Sequence, residues 1–133
     1  MRSRILFVTG HHEDVHRLSQ MLHSLPLALD HAQTVQQARA KLRQSDYEVI
    51  LTEADLPDGN WLDVLHVARK HPAELEVIVT DPHADARFWS EALNLGAYDL
   101  VSQPFYEPEV RRILSNACSR TTSQAYPITA AAV

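Results

Sequence analysis

Short apolar segments alternate with longer amphipathic segments along the chain. The short segments are rich in Val, Ile and Leu, and they comprise residues 4–9, 27–32, 48–53, 76–81 and 98–102. Three of them, RILFVT, EVILTE and EVIVTD, are almost continuously apolar. Strands that are buried on both faces of a parallel sheet have this composition. The pattern therefore predicts five strands in one parallel sheet.

The longer segments repeat apolar residues every three or four positions, as one face of a helix does. Gln37 follows Thr34 by three residues, which is a capping-box pattern at a helix start. Gly96 is placed to end a helix in the left-handed conformation. The predicted helices comprise residues 13–25, 34–42, 60–70, 86–96 and 107–120.

The elements follow the order β-α five times, which predicts a doubly wound α/β sandwich of three layers with right-handed crossovers. Residues 1–120 hold all of these elements and form one predicted domain, whereas residues 121–133 lack periodicity and are expected to form a flexible tail. In such a sheet the functional crevice lies beyond the carboxyl ends of the strands. Those ends carry Thr9, Gly10, His11, Glu53, Asp55, Thr80, Asp81, Ser102 and Gln103.

Composition narrows the classes of protein that this chain can represent. Of its 133 residues, 45% are hydrophobic and 22% are charged, as in an ordinary globular domain. A net charge of −5 without a basic cluster argues against a nucleic-acid partner. No apolar run approaches the roughly 20 residues that a membrane helix needs, so we expect no membrane partner. The single cysteine, Cys118, is consistent with a reducing cytoplasmic setting.

Residues 12–16 read His-Glu-Asp-Val-His and match the H-E-x-x-H pattern of zinc hydrolases. In that class the two histidines lie one turn apart on a helix and the glutamate is the general base. His12 follows a predicted strand by only three residues, so it falls at the very start of the helix. Ser19 and Leu22 occupy the glycine and histidine positions of the extended motif. A zinc hydrolase that uses His12 and His16 remains an alternative, as does a looser metal contact that includes His11.

Two long stretches resemble a known family, and the resemblance extends over residues 3–118. EVILTEADLPDGNWLDVL is similar to the third strand, the following turn and the start of the third helix in receiver domains of two-component response regulators. EVIVTDPHADARFWSEALNLGAYDLVSQPF is similar to the part of these domains from strand four to strand five. Its second half resembles the family pattern A-L-x-x-G-A-x-x-Y-L-x-K-P-F. The resemblance implies a (βα)5 flavodoxin-like fold with the strand order 2-1-3-4-5.

Receivers take a phosphoryl group from a histidine kinase onto an aspartate that ends strand three, with a divalent metal ion held by an acid pair after strand one. Here Thr9 and Gly10 replace the acid pair, and Glu53 stands at the acceptor position. A gap-free alignment puts Asp81 at the family's Ser/Thr position, whereas a shift of one residue puts Thr80 there. The site of the family is therefore altered at each of these positions.

Two further positions depart from the family on strand five. Gln103 replaces the lysine that precedes Pro104, and Leu100 replaces the aromatic switch residue. An amide cannot neutralise a phosphoryl group as an ammonium group does. The resemblance thus implies that Mg²⁺ binding is lost or weak, that no cofactor is bound, and that the chain is not an enzyme.

The resemblance implies a signalling module that acts through protein–protein contact independently of phosphorylation. Its partner would be a histidine kinase, an output protein or a second copy, bound through helix four, strand five and helix five. The candidate residues on that face are Phe88, Trp89, Tyr98, Tyr106 and Arg111. Two alternatives remain at the acceptor position: Glu53 accepts a phosphoryl group as a conventional receiver does, or its carboxylate imitates the activated state.

Overall fold

A computed structural model describes residues 3–123, which form five long strands and five helices. The strands are β1 (Ser3–Val8), β2 (Leu27–Ala32), β3 (Val49–Glu53), β4 (Glu76–Asp81) and β5 (Asp99–Ser102). The helices are α1 (His12–Leu22), α2 (Val35–Gln44), α3 (Trp61–Lys70), α4 (Ala86–Leu95) and α5 (Glu107–Ser123). None of the helices in this part of the chain combines the length and the apolar content that crossing a membrane requires.

The five strands form one parallel sheet in the order β2-β1-β3-β4-β5. The predicted doubly wound fold and its strand order are therefore confirmed. The order reverses between β1 and β3, because the chain moves outward to β2 before it crosses back to the other side of β1. A parallel doubly wound sheet places its functional crevice at this reversal, outside the carboxyl ends of the strands.

Helices cover both faces of the sheet, and each face has its own apolar core. Alternate residues of a strand point to opposite faces. In β3, Val49 and Leu51 pack on the side of α1 and α5, whereas Ile50 packs on the side of α2, α3 and α4. Because both faces are buried, the first three residues of β3 are apolar, and the strand ends in two buried polar residues, Thr52 and the charged Glu53.

Local caps fix where the helices begin and end. The Thr34 side chain accepts a hydrogen bond from the Gln37 amide as predicted, but the Gln37 side chain bonds the Gln33 amide and leaves the capping box half formed. A complete capping box that the pattern did not reveal joins Asn60 and Asp63 at the start of α3. Gly96 ends α4 with φ of 114°, as its position in the sequence predicted.

The segment between β3 and α3 is a short antiparallel hairpin that pairs Asp55–Leu56 with Gly59–Asn60. At its turn a Cβ on Gly59 would collide with the Asp63 side chain, so glycine allows the hairpin to lie against α3. At the other end of the chain α5 continues to Ser123, three residues past its predicted end at residue 120. The remainder of the predicted tail, residues 124–133, lies outside the described residues.

Candidate functional site

The candidate site lies where β1, β3 and β4 end beside one another. The register of the sheet pairs Val8 with Thr52 and Glu53 with Thr80, so the residues that follow β1 meet the last residues of β3 and β4. The Thr9 amide continues the ladder by donating to the Ala32 carbonyl at 2.9 Å. The fold therefore brings together residues that are about 45 and 70 positions apart in the sequence.

Glu53 is the centre of this site, and its residue is only 7% exposed. Its Oε1 accepts a short hydrogen bond from the Thr9 hydroxyl. The Nδ1 atom of His11 lies 3.0 Å from Oε1 and 3.3 Å from Oε2 of the same carboxylate. The His11 amide donates to Thr9 Oγ1 at 3.0 Å, so the three residues form a closed ring of polar contacts. The carboxylate is consequently held on the β1 side of the site.

The electrostatics of the site depend on His11. The hydrogen bond to Glu53 and the negative charge of that carboxylate raise the pKa of His11 above its usual value. Within residues 3–119, the ion pair of Glu53 is made with this imidazole and not with a lysine or arginine. Glu53 is thus a buried carboxylate whose counter-charge comes from a histidine, which supplies that charge only in its protonated form.

The register of the sheet locates the two candidates for the Ser/Thr position, Thr80 and Asp81, relative to Glu53. Thr80 lies directly beside Glu53, and neighbours in a parallel ladder project from the same face of the sheet. Asp81 is one residue further on and therefore points to the opposite face, where its carboxylate accepts from the His83 amide at 2.9 Å. Thr80 is therefore the one of the two that lies beside Glu53 in the ladder, and the assignment of the family's Ser/Thr position stays a prediction.

Two polar atoms around the site are buried without a hydrogen-bond partner, namely Thr80 Oγ1 and Gln103 Nε2. Thr80 is fully buried and Gln103 is half-buried. Buried polar atoms are nearly always paired, and leaving one unpaired costs about 1–3 kcal/mol. Gln103 stands at the predicted lysine position of the family, and Thr80 is the residue that the one-residue shift assigns to the Ser/Thr position. Leu100, at the aromatic position, is a core residue on the opposite face.

The histidines of the H-E-x-x-H pattern do not converge on a metal position. His12 Nε2 lies 2.8 Å from the Gln33 side-chain nitrogen, and its ring packs edge-on against His31 at 5.1 Å. His16 is exposed one turn later. Among the side chains that the structure describes, the group of three metal-ligand types that converges is instead His11, Asp14 and Glu53. Of His11, His12 and His16, only His11 belongs to the site, and it lies just before the H-E-x-x-H pattern.

The predicted interaction face separates into exposed and packed residues. Trp89 is 48% exposed and Tyr106 is 68% exposed. Phe88 packs against the core on the side of α3, and Tyr98 packs against the core formed by α1 and α5. The Arg111 guanidinium donates to the Met21 carbonyl and to Ser24 Oγ at 2.9 Å each and so joins α5 to the segment that ends α1, while its place on the interaction face stays a prediction.

Fold and site together define a small α/β signalling domain of the receiver type. A family model described as the response regulator receiver domain matches residues 5–115. The chain therefore belongs to the receiver-domain family of two-component response regulators.

Individual relatives agree with this assignment. The transcriptional regulatory protein KdpE of Staphylococcus aureus is 30% identical over 116 residues, which cover 84% of this chain and 48% of that protein. This chain thus spans about half the length of that relative. A signal receiver domain from Vibrio parahaemolyticus has a TM-score of 0.87 at 20% identity and covers 94% of this chain and 96% of its own. The beryllofluoride-activated NtrC4 receiver domain dimer has a TM-score of 0.81 at 23% identity, with coverages of 89% and 98%. At these identities the two structures show the fold alone.

Proposed function

We propose that this domain is a signalling module of a two-component system that acts through protein–protein contact without receiving a phosphoryl group. The observation that carries the proposal is the closed ring around Glu53. The carboxylate at the acceptor position is bonded to Thr9 and to His11, and it is 7% exposed. A phosphoryl donor would have to reach an oxygen that is already engaged on the β1 side.

The metal requirement of phosphoryl transfer supports the same conclusion. Mg²⁺ prefers oxygen ligands in a near-octahedral arrangement and is usually held by one or two carboxylates. Thr9 and Gly10 supply no carboxylate at the positions of the acid pair. Glu53 is the remaining matched acid, and its oxygens contact a hydroxyl and an imidazole. We therefore expect Mg²⁺ affinity to be far below that of a receiver with an intact acid pair.

The lack of a positive charge at Gln103 also supports the proposal that Glu53 does not receive a phosphoryl group. A phosphoryl group on Glu53 would replace the single negative charge of the carboxylate with about two at a buried position. Gln103 offers an amide instead of an ammonium group, and the new charge would lack a fixed cation. Uncompensated charge in a buried site is strongly unfavourable.

A module without phosphoryl chemistry would use the surface that it presents. Trp89 and Tyr106 leave large aromatic areas exposed near α4 and the start of α5. The indole Nε1 of Trp89 donates to Asp99 Oδ1 at 2.9 Å, which holds that ring against β5. Aromatic side chains that are held in place are frequent anchors of protein interfaces. We propose this face as the contact for a signalling partner or a second copy, in a cytoplasmic setting.

One observation favours the alternative in which Glu53 is phosphorylated. Thr80 places an unpartnered hydroxyl beside Glu53, which is where a receiver needs a hydroxyl for a phosphoryl oxygen. The alternative in which the Glu53 carboxylate imitates the activated state is also supported by one contact. Protonated His11 would supply a cation for this carboxylate on the β1 side. The experiment below separates the proposal from phosphorylation.

The test is to incubate the protein with acetyl phosphate and Mg²⁺ and to measure the intact mass. A variant that combines Thr9→Asp, Gly10→Asp, Glu53→Asp and Gln103→Lys serves as the matched positive control. A Cβ at Gly10 meets only Pro57 Cγ at 3.8 Å, an ordinary contact, so the substitution at that position fits. We expect an 80 Da adduct that depends on Mg²⁺ in the control and none in the natural sequence. A Mg²⁺-dependent adduct that maps to Glu53 of the natural sequence would contradict the proposal.

A further inference from the structure

We propose that His11, Asp14 and Glu53 form a binding site for a borderline divalent transition-metal ion of the Zn²⁺ or Co²⁺ class. The inference goes beyond the proposed signalling function and does not depend on whether Glu53 is phosphorylated. It concerns two residues, His11 and Asp14, that stand outside the positions at which the family's Mg²⁺ is held.

The geometry of the three side chains suits a single ion. One ligand atom from each residue lies within 4.8 Å of the other two. His11 Nδ1 and Glu53 Oε1 are 3.0 Å apart. Two atoms that bind the same ion at about 2.0–2.2 Å on adjacent positions are themselves about 3.0–3.5 Å apart. The imidazole and the carboxylate thus already have the separation of neighbouring ligands, and Asp14 needs only a side-chain adjustment.

The ligand chemistry favours one class of ion over another. An imidazole nitrogen with two carboxylates suits Zn²⁺ and related first-row ions, whereas Mg²⁺ strongly prefers oxygen. Zinc sites with three protein ligands leave a fourth position for water or another molecule. His11 therefore makes the metal site at this edge of the sheet selective for ions of the Zn²⁺ class over Mg²⁺.

A buried polar atom also lies on the neighbouring strand. Thr80 Oγ1 is fully buried, has no hydrogen-bond partner in the described part of the chain, and projects from the same face of the sheet as Glu53. It lies on the β4 side of Glu53, whereas Thr9 and His11 hold the carboxylate on the β1 side, so the three ligand side chains alone carry the proposal.

Two features oppose tight binding and set the expected strength. Asp14 lies 3.9 Å from Arg17, which partly neutralises it. The site is also at the amino end of α1, where the helix dipole is positive and disfavours a cation. We therefore expect an affinity weaker than that of a structural zinc site, with one ion bound per chain.

The experiment is a titration of the metal-free protein with Zn²⁺ by calorimetry and with Co²⁺ by visible absorbance. His11→Ala should weaken binding at least about tenfold, because even outer-shell partners of a metal site typically change affinity 10–100-fold. Asp14→Asn should weaken it by a smaller factor. His12→Ala is the matched control, since it removes the adjacent histidine that is outside the cluster, and it should leave binding unchanged. A tenfold excess of Mg²⁺ over Zn²⁺ should not displace the ion.

Histidine side-chain ¹⁵N spectra give a second reading that does not depend on affinity. The Nδ1 signal of His11 should shift upon Zn²⁺ addition, while the signals of His12 and His16 stay in place. Backbone spectra of each variant verify that the fold is intact. Three results would overturn the proposal. The first is equal Zn²⁺ binding by His11→Ala and the natural protein, and the second is a loss of binding in His12→Ala or His16→Ala instead. The third is the absence of a one-to-one complex. No phosphoryl donor is used, so the result is independent of the test of the proposed function.

Discussion

Two carboxylates of the sheet, Asp30 and Glu53, have opposite surroundings. Asp30 in β2 accepts from an Arg4 guanidinium nitrogen at 2.7 Å and from the Tyr47 hydroxyl at 2.6 Å. The Arg4 guanidinium also lies 5.0 Å from the centre of the Tyr47 ring. Glu53 is more deeply buried, yet its contacts are a hydroxyl and an imidazole that titrates.

The difference separates a structural carboxylate from a functional one. At Asp30 a fixed cation and a phenol hold the charge, and the Tyr47 hydrogen bond and Arg4 lower the pKa of this carboxyl group. Asp30 also contributes to the raised pKa of Tyr47, about 12, which is due first to burial. Near Glu53 the buried Thr80 hydroxyl has no partner and no arginine or lysine is bonded among the described contacts. We infer that the cluster of Asp30, Arg4 and Tyr47 stabilises the fold, whereas the carboxylate of Glu53 is available to bind a ligand.

The largest effect that this comparison predicts follows from the substitution Asp30→Asn. It removes the charge from two charge-assisted hydrogen bonds, and we expect the free energy of unfolding to fall by about 1–2 kcal/mol. Urea denaturation followed by circular dichroism measures the change. If Asp30→Asn is as stable as the natural protein, the cluster does not have the structural role that we assign to it.

A smaller loss is expected for Tyr47→Phe. The substitution removes one hydrogen bond to Asp30 but leaves the buried ring and the Arg4 pair in place. The expected cost is about 1 kcal/mol in the same denaturation experiment. Combined with Asp30→Asn, the two losses should be less than additive because they share one interaction. Full additivity would show that the hydroxyl acts independently of Asp30.

The pH dependence of stability tests the same cluster. Because the pKa of Asp30 is lowered in the folded protein from 3.8, its contribution is present above that value and is lost as the pH falls through the folded pKa. Between pH 5 and pH 2, approximately, the natural protein should lose more stability than Asp30→Asn, which has no such group to protonate. Parallel stability curves for the two proteins would contradict this interpretation.

The smallest change in stability is expected at the functional carboxylate. Glu53→Gln keeps the size of the side chain and removes a buried charge that lacks a fixed cation. The loss of the His11 ion pair and the relief of the desolvation penalty oppose each other, so the change should be within about 0.5 kcal/mol. Thermal and urea unfolding compare this variant directly with Asp30→Asn. A loss at Glu53 as large as that at Asp30 would remove the distinction between the two carboxylates.

Most of the fold follows from the sequence because its patterns are local. Continuous apolar runs locate β1, β3 and β4 within one residue of their observed bounds, and Gly96 marks the end of α4. The parallel order follows from the alternation of strands and helices together with the rule of right-handed crossovers. The hairpin before α3 lay outside this reasoning, since strands of two residues leave no periodic signal.

The site was only partly predictable, because its contacts depend on pairings between distant elements. Thr9 and Glu53 could be located from the strand ends, whereas the finding that Thr80 and not Asp81 lies beside Glu53 required the register of β3 and β4. The Arg111 contact with Met21 joins residues 90 positions apart, which no local pattern reveals. His11 and Asp14 were visible as residue types, but their convergence on Glu53 is a property of the folded chain. A histidine directly after the first strand was the one available signal.

We propose that this receiver domain does not adopt a phosphorylated state. The most direct test is a titration of the natural protein with beryllofluoride and Mg²⁺ that is followed by amide NMR spectra. The control is the variant that combines Thr9→Asp, Gly10→Asp, Glu53→Asp and Gln103→Lys. We predict that the signals of residues 53, 80 and 103 and of α4 do not move in the natural protein and shift in the variant. Saturable shifts at these residues in the natural protein would contradict the account.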